Sequence, residues 1–316
     1  MKSAVIVGCE GQDGRIAFDF LRAKGYRLLG IDKEVVRGAG SNWREKVDIA
    51  SLNNAIDLIR SVKPDEVYFF AAYHNSSEAK NANAIELFNE SYKINCFALI
   101  NFLEAIRAHS IATKLFYAAS SLIFEGTDDE RQNETTAFAP QSVYAITKLN
   151  GLLACRYYQK YYGVFASVGI LYNHESSLRN EGFVSKKIVK GALNVKNNKQ
   201  SKLILGNLDA EADWGYAPDF IDAMYRILQL KTPDTFVVAT GIKHSVREFA
   251  TIAFECLGLD WRKHVEENKD IIQHPRKTLV GDSSKLTGVT GWRPTVDFVH
   301  MIDLLVKEEV GVLTND

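Results

Sequence analysis

The sequence predicts an α/β protein: a doubly wound parallel sheet with a smaller C-terminal α/β lobe for the substrate. Three observations predict it. Short apolar strands alternate with amphipathic helices through the first half of the chain. The first strand runs straight into the loop Gly8-Cys9-Glu10-Gly11-Gln12-Asp13-Gly14. Beyond about residue 172 the alternation loosens into longer, irregular segments with polar runs.

The elements follow in order. A strand covers 4–7, and a helix over 14–24 is ended by Gly25. A second strand covers 27–31, and another precedes Asp48. A helix over 51–61 stops near Pro64, where the imino ring would break it. Next come a strand over 66–71, one long helix over 85–108 and a strand over 114–118. A second long helix covers 144–162 and ends at Gly163, before a strand over 165–170. Residues 1–172 thus read as a dinucleotide-binding domain, rejoined by about 217–240. Residues 173–316 read mainly as the substrate lobe. The Lys/Asn-rich run 194–202 and the acidic run 128–130 read as solvated loops.

Composition narrows the function. With 316 residues and 46% hydrophobic content the chain can bury a large core without disulfides or metal. Lys plus Arg number 38 against 39 for Asp plus Glu, so there is no electrostatic footprint for nucleic acid. Cys9, Cys96, Cys155 and Cys256 are scattered, without CxxC pairing or a His cluster, and read as buried thiols with no metal site. Gly8, Glu10 and Asp13 interrupt the first apolar run too early for a signal peptide. No stretch approaches the ~20 apolar residues of a membrane span. The expectation is a cytoplasmic protein without membrane contact.

The glycine loop has a physical reading. Gly8 permits the tight turn, Gly11 lets the backbone approach a pyrophosphate, and Gly14 allows close helix–strand packing, a Rossmann-type arrangement. The helix N-terminus presents N–H groups and partial positive charge to the phosphates. Asp32 stands at the end of the second strand, where a carboxylate accepts from the adenosine ribose and repels a 2′-phosphate. That favours NAD over NADP. Asp48 and Ile49 suit an adenine contact, or Asp48 a plain helix cap.

Tyr144 and Lys148 form a YxxxK pair at the start of a long helix, one turn apart on one face. An ammonium beside a phenol favours the phenolate, which fits Tyr144 as base for a hydroxyl while hydride leaves for a nicotinamide. The strand at 114–118 leads into Ala118-Ala119-Ser120-Ser121, and a hydroxyl there can hold the same oxygen. Glycine loop, strand-end serine and YxxxK in that order are jointly specific.

With those residues in place, the chain resembles the extended short-chain dehydrogenases, and most closely the GDP-mannose 4,6-dehydratase family, nearly end to end. The resemblance is carried by Gly11-Gln12-Asp13-Gly14, Ala71-Ala72, Pro140 to Lys148, Asn173-His174-Glu175-Ser176, Leu205 to Ala210 and Asp213-Trp214-Gly215. It implies an oligomeric enzyme (homodimer or homotetramer) acting on a GDP-linked sugar. Gln12, Asp13, Ala71, Tyr144 and Lys148 would meet the cofactor. Ser121, Tyr144 and Lys148 would oxidise C4 of the sugar. Asn173, Val184, Lys187 and Arg276 would hold the nucleotide.

The departures shape the expected reaction. Family dehydratases carry a Glu two residues beyond the strand-end hydroxyl, to take the C5 proton; here that position is Ile123. The usual Gln-Ser-His after Ala-Ala is replaced by Tyr73-His74-Asn75, and Ala212 stands before Asp213 where an Arg is expected. The leading expectation is therefore an NAD-dependent C4 oxidoreductase of a GDP-hexose or GDP-heptose: a 4-dehydrogenase, 4-ketoreductase or C4 epimerase. The alternatives are a 4,6-dehydratase using another base, such as Glu125, His74 or a residue of the second lobe, and an inactive nucleotide-sugar-binding protein.

Overall fold

A computed structural model describes residues 1–35, 43–74, 83–272 and 277–314. The chain opens with β1 (Ser3–Val7), α1 (Gln12–Ala23), β2 (Arg27–Asp32), β3 (Trp43–Lys46), α2 (Leu52–Val62) and β4 (Glu66–Phe69). There follow α3 (Ala84–Tyr92), a π-turn (Lys93–Phe97), α4 (Ala98–His109) and β5 (Lys114–Ser120). A 3₁₀ turn (Ser121–Phe124), α5 (Val143–Tyr162) and β6 (Ala166–Leu171) complete the first stretch.

The second stretch holds β7 (Asn173–Glu175), α6 (Val184–Lys196), β8 (Leu203–Leu205), β9 (Glu211–Tyr216), α7 (Ala217–Gln229) and β10 (Thr235–Val238). Then come β11 (Lys243–Ser245), α8 (Val246–Glu255), β12 (Val265–Glu267), α9 (Ser284–Thr290) and α10 (Phe298–Thr314).

Seven strands form one sheet in the order β10-β6-β5-β4-β1-β2-β3. Every pairing in it is parallel. The strand order reverses between β1 and β4, which makes the sheet doubly wound and opens a crevice beyond the carboxyl ends of those two strands. The strands are apolar on both faces, as a sheet covered by helices requires: all five residues of β1 and all six of β6 are buried.

A second core lies apart from the first. It packs Ile188 and Ala192 of α6, Trp214 of β9, Phe249 and Phe254 of α8, and Met301 and Ile302 of α10. Two small sheets, β11-β9-β7 and β12-β8, brace it. Asp213 ties the cores together. Its carboxylate accepts from the backbone N–H groups of Thr240 at 3.0 Å, Gly241 at 2.9 Å and Gly281 at 3.2 Å, and from the Thr240 hydroxyl.

Three expectations are corrected. The helix expected over 85–108 is broken by the π-turn, where Asn95 turns its carbonyl to the Tyr117 hydroxyl at 3.1 Å and its amide group to Thr147 Oγ1 at 3.0 Å. The run 194–202 begins as helix, because Val195 is buried in the second core and holds the last turn of α6 in place. Cys256 is exposed, whereas Cys9, Cys96 and Cys155 are buried. Among the described residues no helix is long and apolar enough to cross a membrane.

Candidate active site

The crevice at the strand reversal is built by contacts that only glycine allows. Gly8 has φ +88°, and a Cβ on it would lie 2.7 Å from the backbone nitrogen of Ala71. A Cβ on Gly14 would lie 2.1 Å from the Gly8 carbonyl oxygen. Gly11 precedes α1 and no side chain caps that helix end. Its first-turn N–H groups therefore face a cavity of about 230 Å³, lined by Gly8, Gly11, Gln12, Asp13 and Gly14. An uncapped helix start over a glycine loop fits a dinucleotide diphosphate.

Asp32 ends β2 and accepts from the backbone N–H groups of Glu10 at 3.0 Å and Lys33 at 2.8 Å. Glu10 is itself paired with Arg44 at 2.9 Å and Arg15 at 3.3 Å. The Asp32 carboxylate at the end of β2 suits an adenosine ribose hydroxyl, which fits NAD. Ala71 holds the loop through its N–H to the Val7 carbonyl at 3.0 Å, while its neighbours Phe70 and Ala72 line the cavity. Asp48 and Ile49 do not line it. Asp48 accepts from Ala50 N at 3.0 Å, as a turn former, and Ile49 is buried in the main core.

The same cavity receives the YxxxK pair. β5 runs on to Ser120, whose hydroxyl accepts from Leu122 N at 3.3 Å, so that Ser121 opens the 3₁₀ turn facing the crevice. Ser142 caps α5 by accepting from Ala145 N at 3.3 Å, which sets Tyr144 and Lys148 one turn apart on the cavity wall. Lys148 Nζ donates to the Ala118 carbonyl at 2.8 Å and lies 5.7 Å from the centre of the Tyr144 ring. Burial pushes Lys148 down to about 7, against the pull of Asp13.

A buried ion pair joins the glycine loop to the second lobe. His174 Nε2 lies 3.0 Å from Asp13 Oδ1, and its Nδ1 lies 2.7 Å from the Tyr172 carbonyl. Both ring nitrogens face acceptors, so the ring is an imidazolium, stacked on Phe220 at 4.8 Å. Burial opposes both charges, yet each holds the other: the His174 pKa is raised by Asp13, and the Asp13 pKa is brought down to about 2 by His174. Gln12 adds bonds to Ser176 Oγ at 2.9 Å and the His174 carbonyl at 3.0 Å.

A second cavity of about 260 Å³ lies between the lobes, lined by Asn173, Val184, Trp214 and Glu211 among others. His74, Ser121, Leu122, Tyr172, Asn173, Arg179 and Phe183 line both cavities and so mark their junction. Lys187 sits on α6 but lines neither, and Arg276 lies outside the described residues. Ile123 is wholly buried in the main core, with its carbonyl accepting from Ala139 N at 2.8 Å. Glu125 is also buried, accepts from Gln141 N at 2.6 Å, and lines neither cavity. Sequence reasoning missed Glu10, Arg179 and Phe183, whose positions depend on contacts distant in the chain.

Comparison with known proteins agrees with this geometry. The family model described as GDP-mannose 4,6 dehydratase matches residues 5–305. GDP-mannose 4,6 dehydratase 2 of Arabidopsis thaliana is 37% identical, over 98% of this chain and 87% of its own. A GDP-mannose 4,6-dehydratase of Vibrio cholerae is 32% identical, over 98% of this chain and 94% of its own. The fold is shared with dTDP-glucose 4,6-dehydratase of Bacillus anthracis str. Ames, solved with NAD, at a TM-score of 0.84 and 17% identity over 98% of this chain and 97% of that one. With its glycine loop, Ser121, Tyr144 and Lys148 on one cavity, the chain belongs to the GDP-mannose 4,6-dehydratase family.

Proposed function

We propose that this chain oxidises C4 of a GDP-linked mannose-type sugar with NAD and carries the reaction on to a 4,6-dehydration. One observation carries the reading. Ser121, Tyr144 and Lys148 share a cavity with the open start of α1, and Ser121 also lines the cavity between the lobes. Ser121 holds the C4 oxygen, and Tyr144 takes its proton. Lys148, donating to Ala118 and facing the Tyr144 ring, keeps positive charge beside the phenolate. When bound, NAD supplies the hydride acceptor. Asn173 and Val184, on the wall of the second cavity, contact the GDP moiety.

The names of the curated relatives support dehydration over the expectation of redox at C4 alone. One observation favours the second reading. Ile123 occupies the position of the elimination base and is buried in the core, so without another base the reaction stops at a C4 ketone or its re-reduction.

The two are separated by product mass. Purified protein with GDP-mannose and NAD is expected to release a product lighter by one water, with no net NADH. A product lighter by two hydrogens with stoichiometric NADH, or an unchanged mass with inverted C4, replaces dehydration with the second reading.

A further inference from the structure

Elimination of water from a 4-keto sugar needs a proton acceptor at C5 and a proton donor at the C6 oxygen. Several ionisable side chains around the two cavities are held in ion pairs or hydrogen bonds. Asp13 is paired with His174, and Glu211 with Lys243 at 2.6 Å. Glu175 accepts from the Ser185 hydroxyl and lies 3.2 Å from Arg179 Nε. The Tyr172 hydroxyl donates to Gln132 Oε1 at 2.9 Å, and burial pushes it far up. Arg179 cannot serve as a base. Leu122 and Ile123, the two residues that follow Ser121, are apolar.

His74 is singled out by its position. It lines both cavities, at their junction, where a sugar must sit to reach Tyr144. Its ring meets the Tyr144 ring edge to face at 4.6 Å and 86°, and it stacks on Phe183 at 5.3 Å and 22°. Two aromatic contacts fix the plane of the imidazole beside the base for C4. His74 and Tyr144 are neighbours, as C4 and C5 of a sugar ring are.

We propose that His74 is the acid–base residue for C5 and C6, in the place that Ile123 leaves without a proton carrier. The inference rests on the dehydratase reading. After Tyr144 has taken the C4 hydroxyl proton and the C4 hydride has left, the C5–H bond breaks. Its electron pair becomes the enolate with the C4 oxygen, and the proton goes to the His74 imidazole. The C6–O bond then breaks as C5=C6 forms, and the imidazolium returns its proton to the departing hydroxyl, which leaves as water. The hydride taken from C4 goes back to C6, and a proton from Tyr144 or solvent closes C5. One water is lost and no net oxidation remains.

The test uses the purified enzyme with GDP-mannose and NAD in deuterated water, comparing wild type with His74→Asn and His74→Glu. Deuterium at C5 and loss of water are read by mass and NMR, and C4 oxidation by enzyme-bound NADH in a single turnover. Wild type is expected to place deuterium on C5 and to lose water. His74→Asn should slow both steps by roughly 10²–10⁴ while slowing C4 oxidation far less, so that bound NADH accumulates. His74→Glu, which restores a proton carrier, should recover part of the loss.

Equal slowing of C4 oxidation and water loss in His74→Asn overturns the assignment, as does water loss at the wild-type rate; in both cases the dehydratase reading stands. Wild type that oxidises C4 without deuterium at C5 overturns the assignment and that reading together.

Discussion

Asp13 and His174 are 161 positions apart in sequence, and their charges make sense only together. A bare carboxylate at the start of α1 would repel the diphosphate that the helix start attracts; the imidazolium cancels it. The pair also sets a pH window. Asp13 has its pKa lowered from 3.8, so its contribution to stability is present above that value and is lost as pH falls towards about 2. His174 has its pKa raised from 6.5, so its contribution is complete below 6.5 and is lost as pH rises through the folded value. Arg179 acts on the ring in the opposite sense. Melting curves of wild type and His174→Gln should therefore differ most between about pH 4 and 6.5 and converge at higher pH. A difference that stays constant up to pH 9 would count against the ion pair. At this scale the sequence was uneven: Tyr144, Lys148 and Ser121 were legible because a helical turn or a strand end fixes their spacing. The Asp13–His174 pair was not, because no local pattern relates its members.

Among the elements, α5 depends on how closely it can approach β5. Gly151 sits on that contact, and a Cβ there would meet the Tyr117 hydroxyl at 2.3 Å. The same hydroxyl donates to the Asn95 carbonyl in the π-turn, so the clash cannot be relieved by turning Tyr117 away without losing that bond. Gly151→Ala would raise intrinsic helix propensity by up to about 1 kcal/mol. The overpacking costs roughly 1–3 kcal/mol, so a net destabilisation is expected in urea titration, with Tyr144 and Lys148 displaced and turnover reduced. A stabilised Gly151→Ala variant would show that the contact yields. Element positions were readable from periodicity and from Gly25, Pro64 and Gly163. The π-turn was not, because a single inserted residue leaves the apolar pattern of a long helix almost unchanged.

Over the whole molecule, an apolar stripe stands exposed among the described residues. Leu153, Tyr157 and Tyr161, at four-residue steps along α5, are 45%, 50% and 59% exposed, and Phe97 in the π-turn is 57% exposed. Contiguous apolar stripes of this kind mark association sites. We propose that this stripe forms the contact of a homodimer, consistent with the oligomer implied by the family resemblance. Light scattering should return twice the chain mass for wild type and a single chain mass for the double variant Phe97→Asp/Tyr157→Asp with unchanged circular dichroism. A wild-type monomer at micromolar concentration removes the proposal. The division near residue 172 with a return at about 217–240 is likewise our reading of the domain plan, supported by α7 and β10 packing with the large sheet. The fold class itself followed from βα alternation in the sequence, whereas the exposed stripe could not, since Tyr on a helix reads equally well as core or surface.

The place of β10 has a consequence for the growing chain. β6 is finished at Leu171, yet the strand that completes its hydrogen bonding begins only at Thr235. About sixty residues, most of them of the other lobe, must be translated in between, several seconds at a ribosomal rate of roughly 5–20 residues per second. Throughout that interval the nascent chain presents a largely apolar strand with one unpaired edge, a template for misassociation with a neighbouring polypeptide. The order of synthesis thus places the hazard between Leu171 and Thr235, and a truncation just short of Thr235 would make it permanent.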